Sequence, residues 1–479
     1  MKILLTGATG YIGRRLKQEL LKDENVELRV LVRNKDVLEH LPKGTLEIIE
    51  GSTFDTKTLD EAMAGVDVAY YLIHSLAQKN YQDLDKQSAA NFRDAAIKAG
   101  VKKIIYLGGL GVVDENISKH LLSRIETGKI LSEYPDKIDV IWFRAGVIIG
   151  SGSASFEIIR NLIQKLPILI TPKWVSVRAQ PIGVNDVIKY LYSTKDIALN
   201  GTHMVDIGSE ILSYGEMMRQ SAEVMELKRF IIPVPFLTIG LSSYWLNLFT
   251  PVPFQVARSL IEGLKSEVVI QNENAKKLFA QIEPISFKKA VEQALYEAEQ
   301  NQVISRWSDS GADVWKIDHQ GSIAEAVFVD EKIIHISEDE KQAIFESFCS
   351  IGGENGWFHY DWLWELRGFI DKLFGGVGLN RGRRSQTTLR KGDSLDFWKV
   401  VDIVDGKRLL LFAQMKVPGK AWLEFLITND QLIQRAYFLP SGVLGRLYWY
   451  SLLVLHYFVF HDMINSIYNK AKNTLESKK

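Results

Sequence analysis

The chain opens with an apolar run, Met1–Leu5, and then reads Thr6-Gly7-Ala8-Thr9-Gly10-Tyr11-Ile12-Gly13. A helical pattern follows, in which Leu16 and Leu20 share one face. This order predicts a strand, a glycine-rich turn and a helix. In that context Gly7 permits a sharp turn, Gly10 lets the backbone approach a pyrophosphate, and Gly13 lets helix and strand pack closely. The N–H groups at the start of the helix would then face the phosphates.

Length and charge limit the classes of protein that fit. The chain has 479 residues, too many for one hydrophobic core, so two or three domains are expected. Lys plus Arg equals Asp plus Glu at 58 each, which gives no argument for binding nucleic acid or an anionic membrane. A single cysteine, Cys349, excludes an intramolecular disulfide and is typical of a reducing cytosol. No targeting pattern precedes the first strand, and we expect a cytoplasmic protein.

Two apolar stretches resemble membrane segments, Phe230–Gln255 and Leu447–Phe460. Two pairs of prolines interrupt the first stretch, and the second is shorter than the ~20 residues that a spanning helix needs. We therefore expect no integral membrane segment and interpret both stretches as buried core or as the wall of an apolar cavity. Peripheral membrane contact by the first stretch is the alternative.

Apolar runs alternate with helical segments through the first part of the chain. This alternation predicts a parallel, doubly wound α/β sheet, in which ligands bind beyond the carboxyl ends of the strands. Arg33, Ser52, His74, Gly108 and Arg144 all follow strand ends, so one crevice can collect them. Five further strands are predicted after the opening one: Glu27–Val32, Leu46–Glu50, Val66–Ile73, Val101–Leu107 and Val140–Phe143.

Arg33 indicates which nicotinamide nucleotide is preferred. It stands about twenty residues beyond the glycines, where an acidic residue usually binds the adenosine ribose. A guanidinium can clamp a 2′-phosphate that a carboxylate would repel, so Arg33 favours NADP over NAD. A surface arginine without a ligand is the alternative interpretation.

Four segments resemble an extended or atypical short-chain dehydrogenase/reductase (SDR): Thr6–Gly13, Gly51–Asp55, Arg144–Gly150 and Gln180–Val187. The resemblance covers residues 1–300 and implies an NAD(P)-binding Rossmann domain with a substrate-binding portion after residue 150. It implies that the adenine lies against the segment after the third strand, and the nicotinamide near the ends of the fourth and sixth strands. Together with the glycine turn and Arg33, the expected cofactor-binding residues are Thr6, Gly7, Thr9, Gly10, Tyr11, Ile12, Gly13, Arg33, Ser52, Thr53, Ile73, His74, Ala145 and Val147.

Catalysis is where the chain departs from that family. An ordinary member has a serine after the fifth strand and then a Tyr-x-x-x-Lys helix, whose tyrosine exchanges a proton with the substrate oxygen. Here the serine region reads Gly108–Gly111, and the helical segment Ser118–Glu126 contains no tyrosine. His120 is the first candidate for the missing acid because of its pKa, and His74 is the second. A solvated helix histidine is the alternative for His120.

Residues 322–479 show a different pattern after a polar linker at 301–321. A strand and two helices precede strands that include Ser385–Leu389, and the Asp405-Gly406 hairpin turn indicates an antiparallel meander. A long helix, about Val443–Ala471, closes the pattern. This order resembles the α+β helix-grip fold of the START-like (SRPBCC) superfamily and implies an apolar cavity. The tryptophans that could line such a cavity, or fill the core, are Trp357, Trp362, Trp364, Trp398, Trp422 and Trp449.

A basic loop of Arg381, Arg383 and Arg384 could hold an anion, but a solvated loop is the favoured interpretation. No metal-ligand spacing or nucleic-acid motif is present, so we expect neither partner. The first hypothesis is an NADP(H)-dependent oxidoreductase acting on a hydrophobic carbonyl or enone, with the C-terminal domain collecting the small apolar substrate. The second is a non-catalytic NADPH-binding redox sensor or ligand carrier, which the missing tyrosine and lysine favour. Both hypotheses leave the oligomeric state open.

Overall fold

A computed structural model describes residues 1–33, 35, 38, 46–74, 81–111, 117–234, 262–263, 266–299, 304, 323, 326–357, 360–373, 376, 378, 383–385 and 388–477. Three features predicted above lie outside the described residues: the linker at 301–321 apart from residue 304, the apolar stretch beyond residue 234, and Arg381. The chain divides into two compact units, Met1–Ser310 and Gly311–Lys479.

The first unit is built on a seven-stranded parallel sheet with the order β11-β6-β5-β4-β1-β2-β3. The predicted parallel α/β sheet is therefore confirmed, and the bounds of β1 to β6 agree with the sequence to within two residues. The sequence does not predict β11, which adds the seventh strand. The strands are β1 (Lys2–Thr6), β2 (Glu27–Val32), β3 (Glu47–Glu50), β4 (Val68–Tyr71), β5 (Lys103–Gly109), β6 (Asp139–Ala145) and β11 (Thr202–Ile207).

Helices cover both faces of this sheet. Ile3 and Leu5 of β1 pack in one apolar cluster with Leu16 of the first helix, whereas Leu4 packs in another cluster with Phe92. Alternate residues of a strand thus enter opposite cores, as a doubly wound sheet requires. The helices of this unit are α1 (Tyr11–Leu20), α2 (Thr56–Met63), α3 (Tyr81–Ala99), α4 (Lys119–Leu131), α5 (Ala154–Lys165), α6 (Val184–Ser193), α7 (Tyr214–Val224), α8 (Asn274–Leu278) and α9 (Phe287–Glu299).

Short strand pairs after residue 145 surround a separate apolar cluster that includes Phe156, Met217 and Phe287. The described start of the predicted apolar wall, Phe230–Val234, is a strand that pairs in parallel with β8. These pairs extend the unit beyond the carboxyl edge of the large sheet. They comprise β7 (Ile148–Ile149), β8 (Ile168–Pro172), β9 (Arg178–Ala179), β10 (Ile182–Gly183), β12 (Leu212–Ser213) and β13 (Phe230–Val234).

The second unit contains a six-stranded antiparallel sheet with the order β14-β19-β18-β17-β16-β15. The meander is as expected, and Gly406 takes a positive φ of 64° in its hairpin turn. A capping box of Ser337 and Glu340 stands just before Lys341. The elements are β14 (Phe328–His335), α10 (Lys341–Cys349), α11 (Asp361–Leu373), β15 (Ser394–Leu395), β16 (Trp398–Val404), β17 (Arg408–Ala413), β18 (Gly419–Ile427), β19 (Gln431–Pro440) and α12 (Gly442–Glu476).

Two expectations near residue 385 are wrong. The described residues of the predicted strand Ser385–Leu389 are not in a strand, because the Ser385 hydroxyl accepts the Thr388 N–H at 3.3 Å in a local turn. Arg383 and Arg384 are not solvated either. The buried Arg383 donates to the carbonyls of Ile351 and Cys349 at 2.6 and 2.9 Å. Arg384 is buried against the Asp393 carboxylate.

The C-terminal helix α12 is longer than the apolar run suggested. Within the described residues it is one helix that is long and apolar enough to cross a membrane, judged by length and composition only. Just 22% of its most apolar window is buried. The absence of an integral membrane segment therefore stays a prediction. Its exposed large apolar side chains are Val443, Leu444, Leu447, Tyr450, Leu453, Val454, Leu455, Tyr457 and Phe458.

Candidate functional site

The glycine turn joins β1 to α1 and contains two kinds of glycine. Gly7 has a φ of +73°, and a Cβ there would lie 2.4 Å from the Leu72 carbonyl oxygen. A Cβ on Gly13 would lie 2.1 Å from the Gly7 carbonyl oxygen. The fold itself therefore requires both. Gly10 differs, because its φ is −78° and a Cβ would meet only the Gly7 oxygen, at 3.2 Å. Space beside Gly10 fits the close approach of a phosphate group.

Gly10 is the N-cap of α1, and no side chain among the described residues caps its first turn, which leaves the helix start available to an anion. The side chains around it hold the turn in place. Thr6 is fully buried and donates to the Tyr70 carbonyl at 2.8 Å, so its side chain supports the turn from inside. Arg14 donates to the Thr9 carbonyl at 3.0 Å. Tyr11 donates to the Ser151 carbonyl at 3.1 Å.

The residues predicted to hold the adenosine end lie at neighbouring strand ends. Gly51 donates to the Val32 carbonyl at 2.8 Å, which brings the segment after β3 beside exposed Arg33. Ser52 is half-buried, and its hydroxyl accepts the Phe54 N–H at 3.3 Å. Thr53 is buried, with its hydroxyl 2.7 Å from that of Ser88. Its side chain is therefore used within the protein.

One cavity of about 620 Å³ extends from the glycine turn across the carboxyl edge of the sheet. Its described walls include Tyr11, Ile12, Ala145 and Val147 from the predicted cofactor residues, and His120 from the predicted acids. Most other wall residues are apolar, and they come from β5, β7, α5, β8 and α7: Leu107, Leu110, Ile148, Ile158, Ile159, Leu162, Leu169 and Met218.

The two candidate histidines form a hydrogen-bonded pair beside this cavity. Nε2 of His74 lies 2.9 Å from Nδ1 of His120, and the rings are 4.8 Å apart between centroids. Nδ1 of His74 lies 2.8 Å from Oδ2 of Asp85, a residue of α3 that is 2% exposed. The Ser123 hydroxyl donates to the same oxygen at 3.1 Å. Ile73 is half-buried immediately before His74, at the end of β4.

Burial controls the protonation of both imidazoles. It lowers the pKa of His74, although the hydrogen bond that His74 makes to the Asp85 carboxylate raises that pKa. The pKa of His120 is lowered further, well below its usual value, by burial and by the charges of His74 and Arg124. Burial also raises the pKa of Tyr214, the phenol on the cavity wall. At neutral pH His120 is therefore predominantly unprotonated, and Tyr214 retains its proton.

Several other predicted polar residues serve the fold. Arg144 is buried, and its Nε and Nη2 donate to the Asp206 carboxylate at 2.7 and 2.8 Å. It therefore does not add a free charge to the crevice. Ser118 caps α4 by accepting the Leu121 N–H at 3.2 Å, and Lys129 is exposed in the last turn of that helix.

The sequence reasoning missed Asp85 and Tyr214. Asp85 belongs to an ordinary helical pattern, and no motif connects it to a histidine eleven positions earlier. Tyr214 is the first residue of α7, remote in sequence from the glycine turn. Their proximity to the site depends on tertiary packing, although a strand-end histidine could have prompted a search for a buried carboxylate.

The second unit has an apolar cavity of its own, of about 130 Å³, between α11, the sheet and α12. Trp364, Trp398, Trp422 and Trp449 line it. Nε1 of Trp364 and Trp398 and Nδ1 of His456 are buried without a hydrogen-bond partner among the described residues. Of the remaining predicted tryptophans, Trp357 is buried in the core and Trp362 is 60% exposed.

Comparison with known protein families matches two separate parts of the chain. A family described as NAD(P)H-binding matches residues 7–137. A family described as a protein of unknown function (DUF2867) matches residues 322–463. The second match lies within the antiparallel unit and assigns it no activity.

Individual relatives match the first unit. The ceramide reductase of Caulobacter vibrioides is 26% identical over 266 residues, which are 54% of this chain and 82% of that protein. An NmrA-like family domain-containing protein of Dictyostelium discoideum is 30% identical over 108 residues, but the match spans only 35% of its length. The Citrobacter sp. triphenylmethane reductase complexed with NADP(H) is 21% identical, with a TM-score of 0.50 over 61% of this chain and 100% of that chain.

The glycine turn, the sheet order and these matches agree. The first unit is an NAD(P)H-binding Rossmann domain that is similar to the atypical SDR, NmrA-like type. The predicted Rossmann domain and nicotinamide nucleotide are thereby confirmed. The structural match to the triphenylmethane reductase shows a shared fold, and the Caulobacter relative aligns over 266 residues of this chain.

Substitution of the glycines should separate folding from nucleotide binding. Gly10→Ala should change the free energy of unfolding by less than about 1 kcal/mol, yet weaken NADPH binding at least about tenfold, because its methyl group occupies the phosphate space. Gly13→Ala should destabilise the protein by about 1–3 kcal/mol, because its methyl group overlaps the Gly7 carbonyl. Thermal denaturation and NADPH titration by fluorescence measure both effects. Unchanged NADPH affinity in Gly10→Ala would contradict the assigned phosphate position.

Proposed function

We propose that the first unit is an NADP(H)-dependent reductase of a hydrophobic carbonyl or enone. The observation that supports this proposal is one cavity whose described walls combine Tyr11 and Ile12 of the first turn of α1, the end of β6, His120 and a long apolar surface. A site that only binds the dinucleotide and catalyses no reaction does not need an adjoining apolar cavity. A substrate with a polar reacting group and an apolar body fits such a site.

A bound reduced nicotinamide supplies a hydride in this family of reactions. The chain itself has to bind the substrate, exclude water and deliver a proton. The leucine and isoleucine side chains of the wall perform the first two tasks, because they favour an apolar body and leave water few partners. His120 is the proposed acid, since its imidazole lines the cavity and can transfer a proton at Nε2.

The relatives support this choice of reaction class. The Caulobacter protein is named a ceramide reductase and matches most of its length to this unit. Its name combines a reduction with a lipid, which agrees with an apolar cavity here. The missing Tyr-x-x-x-Lys pair favours the non-catalytic redox sensor, but the histidine pair, of which His120 lines the cavity, provides another source of protons.

We expect NADPH to bind more tightly than NADH, because Arg33 stands at the end of β2 beside the segment after β3. A charge-assisted contact with a 2′-phosphate should give roughly tenfold in affinity. Arg33→Ala should remove most of this preference and leave NADH affinity unchanged. Lys98→Ala is the matched control, since it removes a 70% exposed charge in the last turn of α3, at the opposite edge of the sheet. Equal affinities in the unmodified protein would contradict NADP preference.

Reductase activity is tested by NADPH oxidation with a panel of long-chain aldehydes, ketones and enones. His120→Ala should lower the single-turnover rate by about 10²–10⁴-fold with NADPH affinity retained, because an acid is lost without loss of the nucleotide site. His203→Ala is the control, since the ring of this half-buried histidine of β11 contacts the Asn200 carbonyl at 3.1 Å and is not among the described walls of the cavity.

Two results would contradict this assignment. Loss of activity in Tyr214→Phe with full activity in His120→Ala would identify the phenol as the acid. NADPH binding without turnover of any substrate in the panel would favour the redox-sensor hypothesis over the reductase.

We also propose that the second unit is a START-like domain that holds a small apolar ligand. The specific observation is its cavity between the sheet and α12, in which the indole N–H groups of Trp364 and Trp398 lack an acceptor among the described residues. Buried donors without partners are costly, and a ligand oxygen would relieve that cost. The proposed ligand is therefore apolar and carries one hydrogen-bond acceptor.

Cyclohexanone and cyclohexane test this requirement in the full-length protein. Cyclohexanone should bind about two- to tenfold more weakly to Trp398→Phe, which loses the N–H donor and keeps an aromatic ring. Cyclohexane should bind both proteins equally. Saturation-transfer NMR titrations measure both ligands, with Trp362→Phe as the exposed control. Failure of both ligands to bind the unmodified protein would contradict the ligand site.

A further inference from the structure

Three side chains from three parts of the first unit lie in a continuous hydrogen-bonded line. Oδ2 of Asp85 in α3 contacts Nδ1 of His74 at 2.8 Å, and Nε2 of His74 contacts Nδ1 of His120 at 2.9 Å. Both ring nitrogens of His74 are thus used within the line. Nε2 of His120 is the ring nitrogen that remains for a molecule in the cavity that His120 lines.

We propose that Asp85 and His74 are positioning residues of a proton relay that ends at His120, the catalytic acid. This inference rests on the proposed reduction and extends it by assigning the two residues behind the acid. The relay starts at a carboxylate that is 2% exposed and ends at the cavity wall. None of the sequence motifs that carry the SDR resemblance includes Asp85 or gives it a role.

The carboxylate determines the tautomers when the pair is neutral. Asp85 accepts a hydrogen bond, so Nδ1 of His74 carries the proton and Nε2 is bare. The bare Nε2 then accepts from Nδ1–H of His120. Nε2 of His120 is consequently bare as well, and it presents a lone pair to the cavity. In this state the pair can only accept a proton.

Uptake of one proton from solvent converts the pair into an acid. His74 then carries both N–H groups, beside the Asp85 carboxylate, and His120 is neutral with its proton on Nε2. During reduction the hydride of a reduced nicotinamide nucleotide reaches the substrate carbon, and the His120 Nε2 proton goes to the substrate oxygen. The Nε2 proton of His74 moves to Nδ1 of His120, which restores the neutral pair. The nucleotide is oxidised by two electrons, the substrate is reduced by two, and solvent replaces the proton.

Among the described residues, two charged groups act on this equilibrium from the surrounding elements. Asp85 on α3 favours the protonated pair, and Arg124 on α4 opposes it. Burial lowers the pKa of both histidines. The rate of reduction should therefore rise as pH falls from 8 towards 5.5. Loss of the Asp85 charge should shift that rise to still lower pH.

Histidine tautomers test the relay without nucleotide or substrate. In two-bond ¹⁵N–¹H spectra of the unmodified protein at pH 8, His74 and His120 should both be Nδ1–H tautomers, whereas a free imidazole in water favours Nε2–H. His74→Gln and His120→Gln assign the signals. An Nε2–H tautomer at His120 would overturn the relay, whether or not the protein is a reductase.

The kinetic test compares two carboxylates of the same helix. Asp85→Asn should lower kcat/KM at pH 7 about tenfold with unchanged NADPH affinity, and the loss should shrink as pH falls. Asp83→Asn is the control because Asp83 is exposed two residues away. An equal loss of kcat/KM at every pH would indicate that Asp85 has only a structural role and would overturn the relay. Absence of any turnover, with the Nδ1–H tautomers present, would refute the reductase and leave the hydrogen-bonded line established.

Discussion

The close approach of α1 to the turn after β1 is the constraint on which the site depends. A Cβ on Gly13 would lie only 2.1 Å from the Gly7 carbonyl oxygen, so the helix reaches this position only with glycine there. Its first turn then faces outward at the carboxyl edge of the sheet with no side-chain cap. Tyr11 and Ile12 consequently become walls of the same cavity as His120, over one hundred residues later in the chain.

The sequence predicted elements well where one local signal dominated. The run Glu27–Val32 is rich in valine and leucine and ends before the polar pair Arg33-Asn34, and β2 has these bounds. Asp405-Gly406 marks its hairpin because Gly406 accepts a positive φ. Local signals failed where a side chain or a distant partner decided the backbone. The Ser385 hydroxyl holds a turn in place of a strand, and β11 is a strand because it pairs with β6.

The same contrast between local signals and distant partners applies to the residues of the candidate site. Strand ends and the glycine turn placed His74 and the cofactor residues at one edge, which follows from parallel topology alone. What these side chains contact could not be predicted in this way. Arg144 lies inside β6, one residue before the end of the strand, and Asp206 binds it from 62 residues away. Asp85 is the opposite case, because no local sequence signal predicted a role for this helical aspartate. It contacts His74, and His74 contacts the candidate acid His120.

A histidine acid needs a different environment from the tyrosine that it would replace. A phenol begins with a pKa near 10, and a neighbouring cation helps because it lowers that value towards neutrality. An imidazole begins near 6.5, and burial beside an apolar cavity lowers it further. The useful neighbour is then an anion, which raises the pKa again. Asp85 provides such a charge to His74 in the proposed relay, while Arg124 acts against it. The loss of the family's lysine is therefore consistent with the loss of its tyrosine, because a cation in that place would disfavour a protonated histidine.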